Sequence, residues 1–152
     1  MPLSPNVVAL QVLRAVAVLP AAGAWDAAPT EINVDGAQFI TLFFSYTRGG
    51  AGGSFRFLPQ VSPYSADQGV ATIGNWFPPS VRNVAGFVIG ADVAVNVQRL
   101  EGDLYTAVGA TLETFSLEIE LGASAQRFRC ACQEVGNVAL PGAAHIIAYL
   151  RG

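Results

Sequence analysis

The chain has 152 residues, a length typical of one domain with a buried core. Hydrophobic residues make up 52% and charged residues 12%, which excludes an intrinsically disordered chain and indicates that part of the surface is hidden against a partner. The net charge is −3 and the basic residues are all arginine, so we expect no phosphate-neutralising patch and no direct nucleic-acid ligand.

The N-terminal residues are apolar but do not match a secretory signal. No basic residue precedes the apolar stretch, Arg14 lies inside it, and Pro20 and Gly23 interrupt it. No window reaches the roughly 18 uncharged apolar residues that a membrane span needs. We therefore expect a soluble chain that contacts no membrane. Residues 1–12 are uncharged and twice interrupted by proline, which predicts an extended arm laid over a neighbouring subunit; a frayed terminus is the alternative.

Short segments rich in Val, Ile, Phe and Thr, punctuated by Gly and Pro, predict an all-β domain over residues 13–152. The first three strands are expected at 12–19, 31–34 and 38–47. The third alternates two sets of apolar side chains, which is typical of a central strand, and one of its faces carries Ile40, Leu42, Phe44 and Tyr46.

A glycine-rich turn at 48–53 is predicted to be flexible and to join the third strand to its hairpin partner at 54–62. An excursion rich in Pro, Gly and Ser follows over 63–79. It contains three aromatic side chains, Tyr64, Trp76 and Phe77.

The remaining strands are expected at 93–100, 104–108, 111–121, 126–135 and 145–150. A turn at Gly122, Ala123 and Ser124 predicts a second hairpin. About eight strands at regular spacing predict an antiparallel two-sheet sandwich, jelly-roll-like, rather than a parallel α/β fold.

Catalytic and metal-binding groups are scarce in this composition. His145 is the single histidine and therefore the only candidate histidine base. Cys130 and Cys132 share one face of a strand with parallel side-chain vectors, so we expect two buried thiols rather than a disulfide. We expect no cofactor, no metal and no enzymatic activity.

Four carboxylates lie in the C-terminal strands. Paired carboxylates for glycoside hydrolysis would have to come from Glu113, Glu118, Glu120 or Glu134. Glu118 and Glu120 alternate with apolar residues and belong to a solvated face.

Glu113 falls on the apolar face of its strand, where a carboxylate needs a partner. It is predicted to form a buried or interfacial ion pair with Arg127 or Arg129. A sandwich-fold hydrolase that depends on Glu113 or His145 remains an alternative. A carbohydrate- or receptor-binding module that uses Tyr64, Trp76 and Phe77 is another.

Two stretches carry a family resemblance: Thr-Arg-Gly-Gly-Ala-Gly-Gly at 47–53 and the closing segment at 141–151. In a lysine-free β-domain with an uncharged N-terminal arm, they resemble capsid decoration (cement) proteins of tailed bacteriophages. The resemblance implies a non-enzymatic virion protein that is made in the host cytoplasm, forms a homotrimer, binds the major capsid protein on the outer shell and cements neighbouring capsomers.

The residues expected to contact partners in such an assembly come from the arm and from two loops, and they are Val7, Val8, Leu10, Val12, Arg48, Trp76 and Phe77. Other phage sandwiches form tail, baseplate or head-fibre parts, so the placement in the virion stays open.

Overall fold

The computed structural model describes residues 8–64, 76, 77, 79, 103–121 and 125–152. Eight strands and a one-turn 3₁₀ helix at Ala21–Gly23 follow one another in this part of the chain. The strands are β1 Val8–Val18, β2 Ile32–Asn33, β3 Phe39–Thr47, β4 Ser54–Ser62, β5 Asp103–Thr106, β6 Glu113–Glu120, β7 Arg127–Glu134 and β8 Ala143–Arg151. The predicted strand at 93–100 lies outside the described residues.

The strands form two antiparallel four-stranded sheets. Sheet A has the order β1-β8-β3-β6, and sheet B has the order β2-β7-β4-β5. Successive strands change sheet at every connection except the one from β4 to β5. This is the strand order of a jelly roll, so the predicted all-β sandwich is confirmed.

The two predicted hairpins are wrong. β3 pairs with β6 and β8, whereas β4 pairs with β5 and β7, so the turn at 48–53 joins the two sheets. β6 and β7 likewise belong to different sheets. The physical reason is that β3 and β4 each have a large apolar face, and these faces stack across the core, with the rings of Tyr46 and Phe55 4.6 Å apart.

The core lies between the sheets and is dominated by aromatic rings. Phe44 contacts Phe57 at 4.5 Å and stacks on Phe115 at 4.6 Å, and Phe115 stacks on Tyr105 at 4.3 Å. The predicted alternation in β3, β6, β7 and β8 is confirmed. The inward side chains of β3 and β8 are all buried, namely Ile40, Leu42, Phe44, Tyr46, Ala144, Ile146, Ala148 and Leu150.

Strand β1 takes in part of the predicted arm. Residues 8–12 are paired in register with residues 147–151 of β8, so they belong to sheet A rather than to an extended arm. The register then shifts between Val12 and Arg14. This irregularity lets Arg14 reach Asp26, with its Nε 3.1 Å from one carboxylate oxygen and an Nη 3.2 Å from the other.

Candidate functional site

The outward face of sheet A carries a continuous group of apolar side chains. In two successive rows across the sheet, Leu10 lies opposite Tyr149, and Val12 lies opposite Ile147, which lies opposite Phe43. We call these five residues the apolar face. Leu10 is 57% exposed and Phe43 44% exposed, although both are large and apolar. Contiguous exposed apolar side chains of this kind are uncommon on monomeric proteins and are typical of interaction surfaces.

The apolar face contains a cleft on the outer surface of the paired strands β3 and β8. The rings of Phe43 and Tyr149 meet edge to face, with centroids 5.2 Å apart. The cleft has a volume of about 490 Å³, and its lining is formed by Thr41, Phe43, Ile147, Tyr149 and Arg151. Its aromatic walls suit an apolar guest, and its one charged group, Arg151, is at the margin.

A row of exposed aliphatic side chains lies on β1, at the edge of sheet A. Val16 and Val18 extend the row that Leu10 and Val12 begin, and they are 71% and 63% exposed. The row is exposed although β1 is hydrogen-bonded to β8 along its length. An aliphatic ridge and an aromatic cleft therefore lie side by side on one face.

The opposite margin of this face is polar. β6 places Ser116, Glu118 and Glu120 in register with Phe43, Thr41 and Phe39 of β3. All three β6 side chains are exposed. The apolar surface thus ends at β3, and β6 forms a solvated border that carries two carboxylates.

The outward face of sheet B has a different chemistry. Arg127 donates to the Glu31 carboxylate at 2.7 Å and to the Tyr64 carbonyl at 2.7 Å. Arg129 donates to the Gln60 side chain at 2.9 Å. Arg127 and Arg129 on this face therefore have hydrogen-bond partners within the chain.

Glu113 was predicted to pair with Arg127 or Arg129, but it has a different partner in the structure. Both Glu113 oxygens accept from the backbone N–H of Val108, at 3.0 and 3.1 Å, on the turn that leads from β5 to β6. Arg127 pairs with Glu31 instead, a residue about a hundred positions earlier on the approach to β2. Sequence proximity suggested the wrong partner because β6 and β7 lie in different sheets.

Trp76 lies against the two arginines of β7. The guanidinium carbons of Arg127 and Arg129 are 5.1 and 4.3 Å from the centre of its ring, within the range of cation–π attraction. Burial lowers the pKa of Arg129. The charge of Glu31 opposes this shift and the charge of Arg127 adds to it, so the pKa is lowered overall. The ring therefore helps to hold two like charges side by side.

Phe77 extends sheet B beyond the end of β5. Its backbone exchanges two hydrogen bonds of 2.9 Å with Val61 of β4. Its side chain stays 44% exposed. Trp76 and Phe77 thus anchor part of the long β4–β5 connection to sheet B, and the third aromatic of that group, Tyr64, is half-buried.

Glu134 at the end of β7 is fully buried. Its carboxylate accepts from the Tyr46 hydroxyl at 2.6 Å and from the backbone N–H groups of Ser54 at 3.0 Å and Gly142 at 2.9 Å. It also accepts from the N–H groups of Gly136 and Asn137. One side chain thereby joins the start of β4, the β7–β8 loop and the end of β3. We call this arrangement the Glu134 clamp.

The clamp shifts the pKa values of both acids in it. Burial alone would raise the pKa of Glu134, but the hydrogen bonds from Tyr46 and from the backbone stabilise the carboxylate, and the pKa is lowered overall. Burial, and then the hydrogen bond to Glu134, raise the pKa of Tyr46. An ionised carboxylate that accepts this many hydrogen bonds is suited to fixing loops in place.

The glycine-rich turn at 48–53 packs against the β7–β8 loop, in contrast to its prediction as a flexible turn. A Cβ on Gly49 would overlap the carbonyl oxygens of Leu140 and Pro141, and a Cβ on Gly136 would overlap Gly52 and Ser54. Glycine is required here by the close approach of two backbones. Arg48, predicted as a partner contact, begins this turn and is half-buried.

The remaining candidates for chemistry are far apart in the fold. Cys130 and Cys132 are free and buried in the core, as predicted, and burial raises the pKa of Cys130. His145 pairs with Ser45 on the outward face of sheet A, away from both thiols. Within the described residues, no group of three or more His, Cys, Asp or Glu side chains is arranged to hold a metal ion.

The predicted partner residues do not form one site. Leu10 and Val12 lie on the outward face of sheet A, Arg48 lies beside the Glu134 clamp, and Trp76 and Phe77 lie on sheet B. Val8 is the first residue of β1, and Val7 lies outside the described residues.

Sequence reasoning missed the cleft formed by Phe43, Ile147 and Tyr149. The signal was present, because the alternation in β3 and β8 places these residues on the faces opposite the buried ones. Their proximity depends on the pairing of β3 with β8, which are separated by about a hundred residues of sequence.

Comparisons with known proteins give no relatives for this chain: no protein-family model matches it, and no curated protein matches it. No helix in the described ranges is both long enough and apolar enough to cross a membrane.

Proposed function

We propose that the chain is a non-enzymatic structural protein of a virion, a capsid decoration protein that assembles as a homotrimer. The observation that carries the proposal is the apolar face of sheet A, which exposes Leu10, Val12, Phe43 and Tyr149 beside a cleft of about 490 Å³. Removing apolar surface from water stabilises an assembly by roughly 25 cal/mol per Å², so such a face is a source of association free energy.

The virion role rests on the resemblance of two stretches to decoration proteins and on the low charge content of the chain. In such a role, the trimer binds the major capsid protein on the outside of the shell and spans the boundary between neighbouring capsomers. Three linked contacts multiply a modest affinity, because the second and third contacts form within an already bound trimer.

The test measures attachment of the purified chain to expanded capsids of its phage that lack it. We expect the chain to sediment with the capsids at a saturable stoichiometry and to raise the temperature at which they rupture. A trimeric, folded chain that stays in the supernatant at every concentration would contradict the decoration role.

A second candidate is a carbohydrate- or receptor-binding module of a phage tail, baseplate or head fibre. Exposed Phe77 beside Trp76 supports it, whereas Arg129, 4.3 Å from the centre of the Trp76 ring, competes with a sugar for that ring. If this candidate is right, Trp76→Ala abolishes retention on a glycan array while the unfolding midpoint changes little. If the unaltered chain is not retained on any glycan, carbohydrate binding is excluded.

A further inference from the structure

Strand β1 contributes little to the core of its own chain. It is the edge strand of sheet A, and among its side chains at positions 10–18 only Leu13 is buried. The neighbouring strand β8 instead buries four side chains, those of Ala144, Ile146, Ala148 and Leu150. Because detachment of β1 exposes little apolar surface, we expect β1 to leave its sheet more readily than β8 does.

The contacts that β1 does make are backbone pairing and one ion pair. The pairing with β8 shifts register between Val12 and Arg14 and again between Arg14 and Ala17, so the hydrogen-bonded ladder is interrupted at its centre. There Arg14 donates to the Asp26 carboxylate at 3.1 Å and to the Ala144 carbonyl at 2.6 Å. The same contacts are open to the β1 strand of a second copy, because every copy presents the same β8 edge and the same Asp26.

The connection that follows β1 is strained. Ala22 has φ 58° and ψ 24°, and among the described residues it is the one non-glycine residue with a positive φ. This left-handed conformation is disfavoured for alanine by roughly 5- to 30-fold. An extended connection would relieve the strain, and short hinges under strain favour the exchange of the element that they carry.

We propose that β1 is exchanged between copies of this chain. Residues 8–19 of one copy pair with β8 of the next, and residues 20–24 form the hinge. The proposal rests on the self-association proposed above and names the strand that joins the copies. Complementarity is provided by the chain itself, since the exchanged β1 meets the same register on β8 that it has within one chain.

The exchange also accounts for closure of the assembly. A β8 edge that has lost its own β1 presents unpaired backbone groups, which bind another strand. When each copy passes β1 to the next, three copies form a closed ring in which every β8 edge is paired. Residues 8–12, which the sequence predicted to extend over a neighbouring subunit, would then do so as part of a sheet.

A disulfide distinguishes an exchanged β1 from one that stays in its own chain. Val18 on β1 and Thr47 on β3 both lie opposite Ala143 of β8. Residues in this relation are about 4.5–5.5 Å apart at Cα, within reach of a disulfide. In Val18→Cys/Ala143→Cys the bond joins two copies if β1 is exchanged, whereas in the matched control Thr47→Cys/Ala143→Cys it stays within one chain.

We expect oxidation of Val18→Cys/Ala143→Cys to give covalent trimers on a non-reducing denaturing gel and the control to give single chains. Each single variant carries one introduced thiol and is expected to give dimers at most, because Cys130 and Cys132 are buried. A thiol count establishes that both introduced cysteines are oxidised, and circular dichroism establishes that each variant is folded.

The hinge is tested by two glycine substitutions. Ala22 and Ala24 are both exposed, but Ala24 has φ −73°, which is unstrained. Ala22→Gly removes the strain of the closed hinge, whereas the matched control Ala24→Gly adds the same backbone freedom alone. Relative to this control, we expect Ala22→Gly to raise the dissociation constant of the trimer about fivefold or more for each hinge. Equal dissociation constants would overturn the strained hinge and with it the proposed exchange.

The outcomes of the cross-link separate the two proposals. An unaltered chain that is monomeric at all concentrations overturns the proposed trimer and with it the exchange. A trimeric chain whose Val18→Cys/Ala143→Cys variant gives only single chains with an internal disulfide overturns the exchange alone. Covalent trimers in equal yield from Thr47→Cys/Ala143→Cys would also overturn it, because the cross-link would then not depend on β1.

Discussion

The Glu134 clamp and the apolar face of sheet A differ in where their interactions are completed. Glu134 is a charged group buried inside the chain, and five donors of the same chain satisfy it. The apolar face is exposed, and its large side chains find no cover within the described part of the chain. In the proposed assembly, stability and association therefore reside in different parts of this molecule.

The two regions also respond differently to substitution. A change in the clamp leaves buried polar groups without partners and acts on folding. A change on the apolar face alters side chains that are partly or largely exposed and, in the proposed assembly, acts mainly on association.

Glu134→Ala is expected to be the most damaging single change. It removes the acceptor of four backbone N–H groups and of the Tyr46 hydroxyl, and we expect a loss of about 3–5 kcal/mol in the free energy of unfolding. Urea denaturation followed by tryptophan fluorescence measures it. Glu118→Ala, which removes an exposed carboxylate, is the control and should change stability by less than about 0.5 kcal/mol.

Tyr46→Phe removes one donor and keeps the ring in the core. A hydrogen bond to a charged group contributes about 1.5–3 kcal/mol, so we expect a loss of that size. Combining Tyr46→Phe with Glu134→Ala should cost less than the sum of the two single changes, because the same bond is lost in each. Strict additivity would mean that the hydroxyl does not act through Glu134.

Phe43→Ser tests the role of the apolar face. It removes half of the aromatic pair in the cleft, and we expect the association free energy to fall by about 2 kcal/mol. The lost edge-to-face contact with Tyr149 should lower the unfolding free energy of the monomer by a smaller amount, about 0.5–1.5 kcal/mol. Sedimentation equilibrium gives the first quantity and urea denaturation of dilute protein gives the second. An equal loss of monomer stability would assign Phe43 to the core instead.

Acid should weaken the clamp. Because the pKa of Glu134 is lowered by folding, its contribution to stability is present above the pKa of the unfolded chain, about 4.3, and is lost as the pH falls through the folded value. The difference in unfolding free energy between the unaltered chain and Glu134→Gln should therefore shrink on acidification below about pH 4. A difference that is constant from pH 7 to pH 3 would contradict the lowered pKa.

Trp76→Ala is expected to have the smallest effect. It removes the ring that lies against Arg127 and Arg129, and cation–π attraction at partly exposed sites contributes about 0.5–1 kcal/mol. Thermal unfolding should shift slightly downward, and the oligomer mass should not change. A change in oligomer mass would place Trp76 at a subunit contact.

Strand positions and their inward faces were predictable because alternation is a local signal. The buried set of β3 and the polar set of β6 were both found from parity. The sheet to which each strand belongs was not predictable. Two consecutive strands with large apolar faces can either pair side by side in one sheet or stack across the core in different sheets. The stacking of Tyr46 on Phe55 shows which of the two this chain adopts.

The same limit explains the sites. Glu134 shares its parity with Phe128, Cys130 and Cys132, so its burial was predictable by the argument applied to Glu113. Its donors come from β3, β4 and the β7–β8 loop, which only the fold brings together. Arg14 stood out as a charge in an apolar strand, but its partner Asp26 lies in a loop whose path no spacing rule gives.

The most direct test of the account is the solution mass of the unaltered chain, measured by light scattering across a dilution series. An exposed apolar face that serves assembly predicts a trimer that persists at low micromolar concentration and dissociates on further dilution. A monomer at every concentration would contradict the account, since the apolar face would then be exposed without an association to explain it.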